Sequence, residues 1–431
     1  QVTEYEDNIL TVTEKKYERS GFIWNLIGST VYSVVNMLLG TMAIRLLGGN
    51  LGGIFFFAFS TVGQHIYTVA YFCMRPLHIM DITGKYSFGD YRHFRFLTGA
   101  AALAIAVLFA VLYSGISYKS MVIVVLAVYK ILDAVADVYE CEFQRDGRLD
   151  ITGKSITIRT LFAAACFMTV MLLTRNLLLS CLTAVGAILI SIAVYCSGAL
   201  RRSFNNVDYS EHKGASKELF GMSWWLFAAS FIDLYIFAAS KYAVDAFMGS
   251  EVSAYYSTIF VPTSAILLMS NFVIRPVLTR LSEYYENNDS DSIKRTFRNL
   301  SLMILGLTLF GMLFSWFFGI QILSLLVGSE AGAELENYRT ALVIIIAGGG
   351  MYAMLTLVYY IVIILKKQKA LFIVYAAAVV PAFALSLLFV KNWGVNGGAV
   401  SYLISISGIT AALFVIAVKN LKKSVPEGGN E

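Results

Sequence analysis

Apolar stretches of about twenty residues recur along this chain, separated by short charged segments, and nothing else in the sequence narrows the possible folds as much. A bilayer core of roughly 30 Å takes about 20 residues per helix. Twelve stretches qualify: 20–44, 53–74, 96–116, 120–141, 156–173, 177–199, 219–243, 252–274, 300–326, 340–365, 370–390 and 395–418. With 58% hydrophobic residues, 14% charged residues and a mean hydropathy of +0.70, 431 residues carry more apolar surface than a soluble fold can hide.

The basic residues orient the spans, because Lys and Arg stay on the cytoplasmic side of short loops. Of the 33 Lys and Arg, 26 fall in the N-terminal segment, in alternate loops and at the C-terminus. The intervening loops, with their flanking helix ends, hold one each: Arg45, Lys119, Arg175, Lys241, Arg339 and Lys391. The remaining one, Lys130, lies inside a span. The prediction is an all-α polytopic membrane protein of twelve transmembrane helices with both termini cytoplasmic. The polar N-terminal segment has no apolar core of the kind a secretory signal needs. The five cysteines show no paired spacing and read as reduced core residues, with no metal and no disulfide framework.

The polar stretch "RRSFNNVDYSEHKGASKE" (201–218) follows six spans and reads as a cytoplasmic linker. It divides the chain into a cytoplasmic segment 1–19, six-helix bundles at 20–200 and 219–418, and a tail at 419–431. A shift of 200 residues pairs Trp24 with Trp224, Gly49 with Gly249, Phe72 with Phe272, Arg75 with Arg275 and Pro76 with Pro276. Parallel repeats of this kind are a transporter plan in which substrate is handled between pseudo-symmetric halves, and Arg75 and Arg275 then face each other across the repeat axis.

Polar residues in hydrocarbon are expensive and turn toward a cavity or a neighbouring helix. On the second span Thr61, Gln64, Thr68, Tyr71 and Arg75 share a face, and on the eighth Ser264, Asn271 and Arg275 do. The seventh carries Ser230, Asp233 and Lys241. On the fourth, Lys130, Asp133, Asp137, Glu140 and Gln144 follow steps of three and four and lie on one face. That stripe reads either as a proton or sodium relay or as a network in which Lys130 compensates Asp133 and Asp137. Lone His65 reads as an interior hydrogen-bonding histidine. Arg75 and Arg275 read either as interfacial anchors that snorkel or as paired guanidinium forks suited to a diphosphate.

Several segments together resemble the multidrug/oligosaccharidyl-lipid/polysaccharide (MOP) exporter superfamily, and within it the Wzx-type flippases. They are "RLLGGNLGGIFFFAFS" (45–60), "FQRDGRLDITGKSITIR" (143–159), "SAYYSTIFVPTSAILLMSNFVIRPVLTRLSEYYENND" (253–289) and "WGVNGGAVSYLIS" (393–405). The resemblance implies two six-helix bundles working by alternating access in a bacterial cytoplasmic membrane, as a monomer, on an undecaprenyl-diphosphate-linked oligosaccharide. Arg75, Arg275, Lys130, Gln64 and Asn271 are then the expected substrate contacts, and Asp133, Asp137 and Asp233 the expected sites of coupling to H+ or Na+. The alternative is a proton- or sodium-coupled exporter of cationic drugs. An enzyme fits less well, since the longest loops are only about twenty to twenty-five residues, and no P-loop, cofactor motif or nucleic-acid partner is indicated.

Overall fold

The computed structural model describes residues 2–81, 83–203, 207–274, 277–287 and 289–423. Every regular element among them is helical. Three long helical runs are each broken once by a glycine: Val2–Phe56 at Gly48 (φ 82°, ψ 175°), Ala215–Ile274 at Gly249 (φ 83°, ψ 175°) and Gln368–Lys423 at Gly394 (φ 56°, ψ −135°). Only glycine takes such dihedrals without steric strain.

The breaks resolve the span count. Eight runs are long and apolar enough to cross a membrane; three of them contain a broken turn and supply two spans each. The twelfth is Tyr118–Arg145, long enough to span but carrying the charged stripe. In chain order the elements are α1 (2–47), α2 (49–71), short α3 (Arg75–Met80), α4 (Phe88–Ser114), α5 (Tyr118–Arg145), α6 (Leu149–Thr174) and α7 (177–203). They continue with α8 (215–248), α9 (250–274), short α10 (Leu278–Glu286), α11 (290–327), short α12 (Ser329–Leu335), α13 (Arg339–Ile364), α14 (368–393) and α15 (395–423). The chain is a multi-pass, all-α membrane protein.

The matching dihedrals of Gly48 and Gly249 correct the repeat register by one residue at this turn. Gly48, not Gly49, is the counterpart of Gly249. The offset is therefore 201 at the turn but 200 at the two "RP" dipeptides. The difference has a visible cause: α2 contains a π-turn at Phe57–Val62, which inserts one extra residue into a helix, and the corresponding stretch of α9 is uninterrupted α-helix.

Two compact units result. One comprises the chain up to Leu47 together with Ile54–Ser230; the other comprises Gly48–Gly53 and the chain from Phe231 onward. In the first, the linker from Val207 onward is fastened to the start of α4. The Gly89 N–H donates to Asp208 O (3.1 Å), and a side chain at Gly89 would collide with the Ser210 and Tyr209 carbonyls. Ser87 caps α4 through a capping box with Asp90, and Asp90 also accepts from the His212 N–H (2.7 Å) and lies 2.8 Å from His212 Nδ1. The hydrogen bond and charge of Asp90 raise the His212 imidazole above its ordinary range. Beside it, burial of Asp81 is outweighed by the N–H groups of Tyr86 and Lys85 and by the Tyr91 hydroxyl, which hold its carboxyl below the usual range.

Candidate functional site

The charged stripe of α5 is the centre of the first unit. Asp133, Asp137 and Glu140 are all buried, and each meets a guanidinium from another helix. Asp137 takes Arg75 Nη1 from α3 at 2.5 Å and Arg95 Nη2 from α4 at 3.2 Å. Asp133 pairs with Arg159 of α6 and accepts from the Tyr32 hydroxyl of α1 at 2.8 Å. Glu140 accepts from Arg159 Nη2 (3.0 Å) and the Ser155 hydroxyl (3.1 Å). The network ties α1, α3, α4, α5 and α6 together. Burying charges is tolerable only when they are paired and hydrogen-bonded, and here each carboxylate has both kinds of partner.

Arg75 does not end α2, as the polar stripe predicts. The helix stops at Tyr71, because Phe72 (φ 48°) and Cys73 (φ 51°) are both left-handed, and Arg75 opens the separate helix α3 with Pro76 in its first turn. Two consecutive non-glycine residues in that region cost on the order of 1–3 kcal/mol each. Two features offset it. The Phe72 ring stacks on Phe227 at 4.2 Å and on Phe220 at 5.2 Å and meets Phe94 edge-on. The carbonyls freed at the helix end are taken by Arg95, whose Nη1 donates to Ala70 O (3.0 Å) and to Tyr71 O, a favourable position for a cation at a helix C-terminus. The break turns the Arg75 fork onto Asp137 with one arm and Gln144 Oε1 (3.0 Å) with the other. Its side chain, 26% exposed against 5% for Asp137, is the open edge of the network.

Lys130 is not the counter-ion of Asp133 and Asp137. Its Nζ donates to Asn36 Oδ1 of α1 (3.1 Å) and lies 4.0 Å from the centre of the Phe59 ring, at the π-turn of α2. Gln64 is half-buried on α2. His65 is buried with Nδ1 2.9 Å from Thr61 O.

The second unit is built differently. Asp233 of α8 accepts from the Tyr352 hydroxyl of α13 at 2.8 Å and is hydrogen-bonded by Tyr375 of α14. No Lys or Arg pairs with it among the described residues. Lys241, two turns further along α8, is buried over the rings of Phe260 (4.5 Å) and Phe237 (5.3 Å). Arg275 and the side chain of Asn271 lie outside the described residues.

Sequence patterning counted Arg95 and Arg159 only as loop charges and did not join them to the acids of the α5 stripe. The signal for Arg95 was in "SFGD" (87–90): a Ser and Asp three apart mark a helix start that puts Arg95 two turns inside α4. Tyr32, Tyr352 and Tyr375 carry no such local signal.

No protein-family model and no curated protein matches the sequence. Solved structures do resemble the fold. An inward-facing multidrug resistance MATE family transporter of the MOP superfamily aligns over 94% of this chain and 96% of its own, with a TM-score of 0.68 at 11% identity. The eukaryotic MATE transporter AtDTX14 aligns over 96% and 98%, with 0.63 at 11% identity. A MOP superfamily transporter from Pyrococcus furiosus, for which a reversed polarity of the binding pocket suggests a different function, aligns over 95% and 96%, with 0.57 at 11% identity. The twelve spans in two six-helix bundles are the fold of the MATE transporters of the MOP superfamily.

Proposed function

We propose that this chain is a transporter that works by alternating access, and that its cargo is a lipid-linked oligosaccharide with a diphosphate head, flipped across a bacterial cytoplasmic membrane. The observation that carries this reading is the charge balance inside the first unit. Arg75, Arg95 and Arg159 meet Asp133, Asp137 and Glu140, while Lys130 adds a buried cation with no carboxylate of its own among the described residues. An exporter of cationic drugs needs the opposite surplus. Lys130 and Gln64, with Asn271, are assigned to the polar head, and Arg75 and Arg275 to its diphosphate.

Coupling to H+ or Na+ falls to Asp233. The carboxylates of Asp133 and Asp137 are already occupied by guanidiniums, whereas Asp233 has only neutral donors. The same carboxylate is what favours the second reading, a cation-coupled exporter of cationic drugs, because an aspartate held by tyrosines can also receive an organic cation.

Reconstitution into vesicles with a fluorescent undecaprenyl-diphosphate oligosaccharide tests the choice. Protein-dependent exchange between leaflets is expected. Absence of exchange, together with drug-driven proton release, would replace the first reading with the second. Arg75→Ala and Arg275→Ala are each expected to abolish complementation of polysaccharide export with surface expression intact; normal export in both reduces them to anchors.

A further inference from the structure

The pattern Phe-x-x-Arg-Pro occurs twice, 200 residues apart, and its two copies fold differently. In the first unit α2 stops at Tyr71, Phe72 and Cys73 turn left-handed, and Arg75 starts α3 afresh. In the second unit α9 runs through Phe272 and Val273 to Ile274 without interruption. One sequence pattern thus supports both a broken and a continuous helix. The residues inside it differ in a way that bears on the choice. Cys73 and Met74 are replaced by Val273 and Ile274, both β-branched, and β-branched residues tolerate left-handed dihedrals worst.

The broken copy is held from two sides. On α5, Asp137 takes Arg75 at 2.5 Å and Glu142 takes His78 Nε2 at 2.8 Å, so α3 is pinned twice. On α8, Phe227 and Phe220 stack on Phe72, and Ser230 Oγ accepts from Cys73 Sγ at 3.5 Å. This part of α8, up to Ser230, belongs to the first unit. Each pinning acid also keeps a second basic partner outside α3: Asp137 has Arg95 at 3.2 Å, and Glu142 has Arg145 at 2.6 Å. Helix α3 can therefore leave α5 without orphaning a buried carboxylate, a provision that a purely structural clamp does not need. Left-handed non-glycine residues persist only where their surroundings impose them, and they gather at switch regions. Here the surroundings are contacts that can come apart.

We propose that residues 72–74 are a two-state joint, broken while the start of α8 packs on Phe72 and continuous α-helix, as in α9, when that packing is withdrawn. The joint rests on the alternating-access reading and on no particular cargo. In the continuous state the Met74 and Arg75 N–H groups reach the Ala70 and Tyr71 carbonyls by ordinary helical bonding. Arg95, which holds those carbonyls in the broken state, is released and closes on Asp137 as Arg75 departs. Pro76 has no N–H, so the Phe72 carbonyl is left free, a fault that spanning helices tolerate. A movement of α8 is thereby converted into the transfer of Asp137 from one guanidinium to another.

Spin labels carried on unnatural amino acids at Met80 and Leu103, both exposed, give the distance from α3 to α4 in the full chain in lipid nanodiscs. Two distance populations are expected in the wild type. Cys73→Gly removes the cost of the left-handed turn and is expected to favour the broken state, whereas Cys73→Val is expected to disfavour it. The ratio of the populations is expected to differ at least about tenfold between these variants. Phe227→Ala removes the stacking partner on α8 and is expected to move the ratio the same way as Cys73→Val. One unchanged distance in the wild type and all three variants overturns the joint. A shift in the Cys73 variants with none in Phe227→Ala also overturns it, since α8 then has no hold on the break. Should Cys73→Val not fold, Cys73→Gly and Phe227→Ala must still shift in opposite directions, and failure to do so counts equally against the joint. Opposed shifts in a protein that shows neither leaflet exchange nor drug export keep the joint and remove the transporter reading. A single rigid distance with normal exchange removes the joint alone.

Discussion

Asp133, buried, and Asp233, half-buried, are both aspartates that accept a tyrosine hydroxyl, yet they belong to opposite kinds of site. Asp133 is clamped by Arg159 inside a network that reaches five helices. Asp233 has Tyr352 and Tyr375 and no described cation. A carboxylate locked to a guanidinium holds its charge and its place; one held by neutral hydroxyls can exchange a proton or take a cation with little rearrangement. The first unit has invested its acids in architecture, and the second keeps one available for chemistry.

The contrast is most easily broken at Asp137. Asp137→Ala leaves Arg75 and Arg95 without their shared carboxylate and is expected to destabilise by about 3–5 kcal/mol, read as a large drop in thermal stability in detergent. A change within 1 kcal/mol would dissolve the distinction between the units. Backbone equivalence offers a check that ignores charge: Gly48→Ala and Gly249→Ala force the same glycine-only dihedrals and are expected to cost about 1–3 kcal/mol each, by similar amounts. Unequal losses would mean that the two turns are alike only in angle.

Asp233→Asn keeps the size and most of the hydrogen bonding, so thermal stability is expected to move by less than about 1 kcal/mol, while the pH or sodium dependence of transport changes. If stability falls as far as in Asp137→Ala, Asp233 is structural after all. The smallest effect is expected at the linker. Asp90 raises the His212 imidazole, with Asp208 adding to the same pull, so this contact stabilises fully below the unfolded value of about 6.5 and fades as pH rises through the folded value. Hydrogen exchange over 207–213 should therefore quicken on the alkaline side, and His212→Gln should abolish that pH dependence.

Much of this was legible in the chain itself, for reasons that differ by residue. The steps of three and four from Lys130 to Gln144 put the acids on one face because helical geometry is local. Their partners were not legible, since Tyr32 reaches Asp133 across 101 residues and Arg159 reaches Glu140 across a helix turn-around. The end of α2 was hidden for another reason: Phe72 and Cys73 adopt left-handed dihedrals that neither residue type advertises, held by the aromatic packing around Phe72 and by Arg95 at the freed carbonyls. Lys130 looked like a counter-ion because it stands three residues from Asp133, but Asn36 and Phe59 claim it instead.

The π-turn at Phe57–Val62 has a consequence for everything that follows it. One residue of α-helix is about 100° of rotation. Were a single residue removed from that segment and the turn to close into ordinary α-helix, Gly63 to Tyr71 would swing by that angle about their axis. The carbonyls of Ala70 and Tyr71 would leave Arg95, and the fork of Arg75 would be aimed away from Asp137. A small widening of one helical turn thus works as a phase setting, keeping a distant guanidinium in step with the acid it serves.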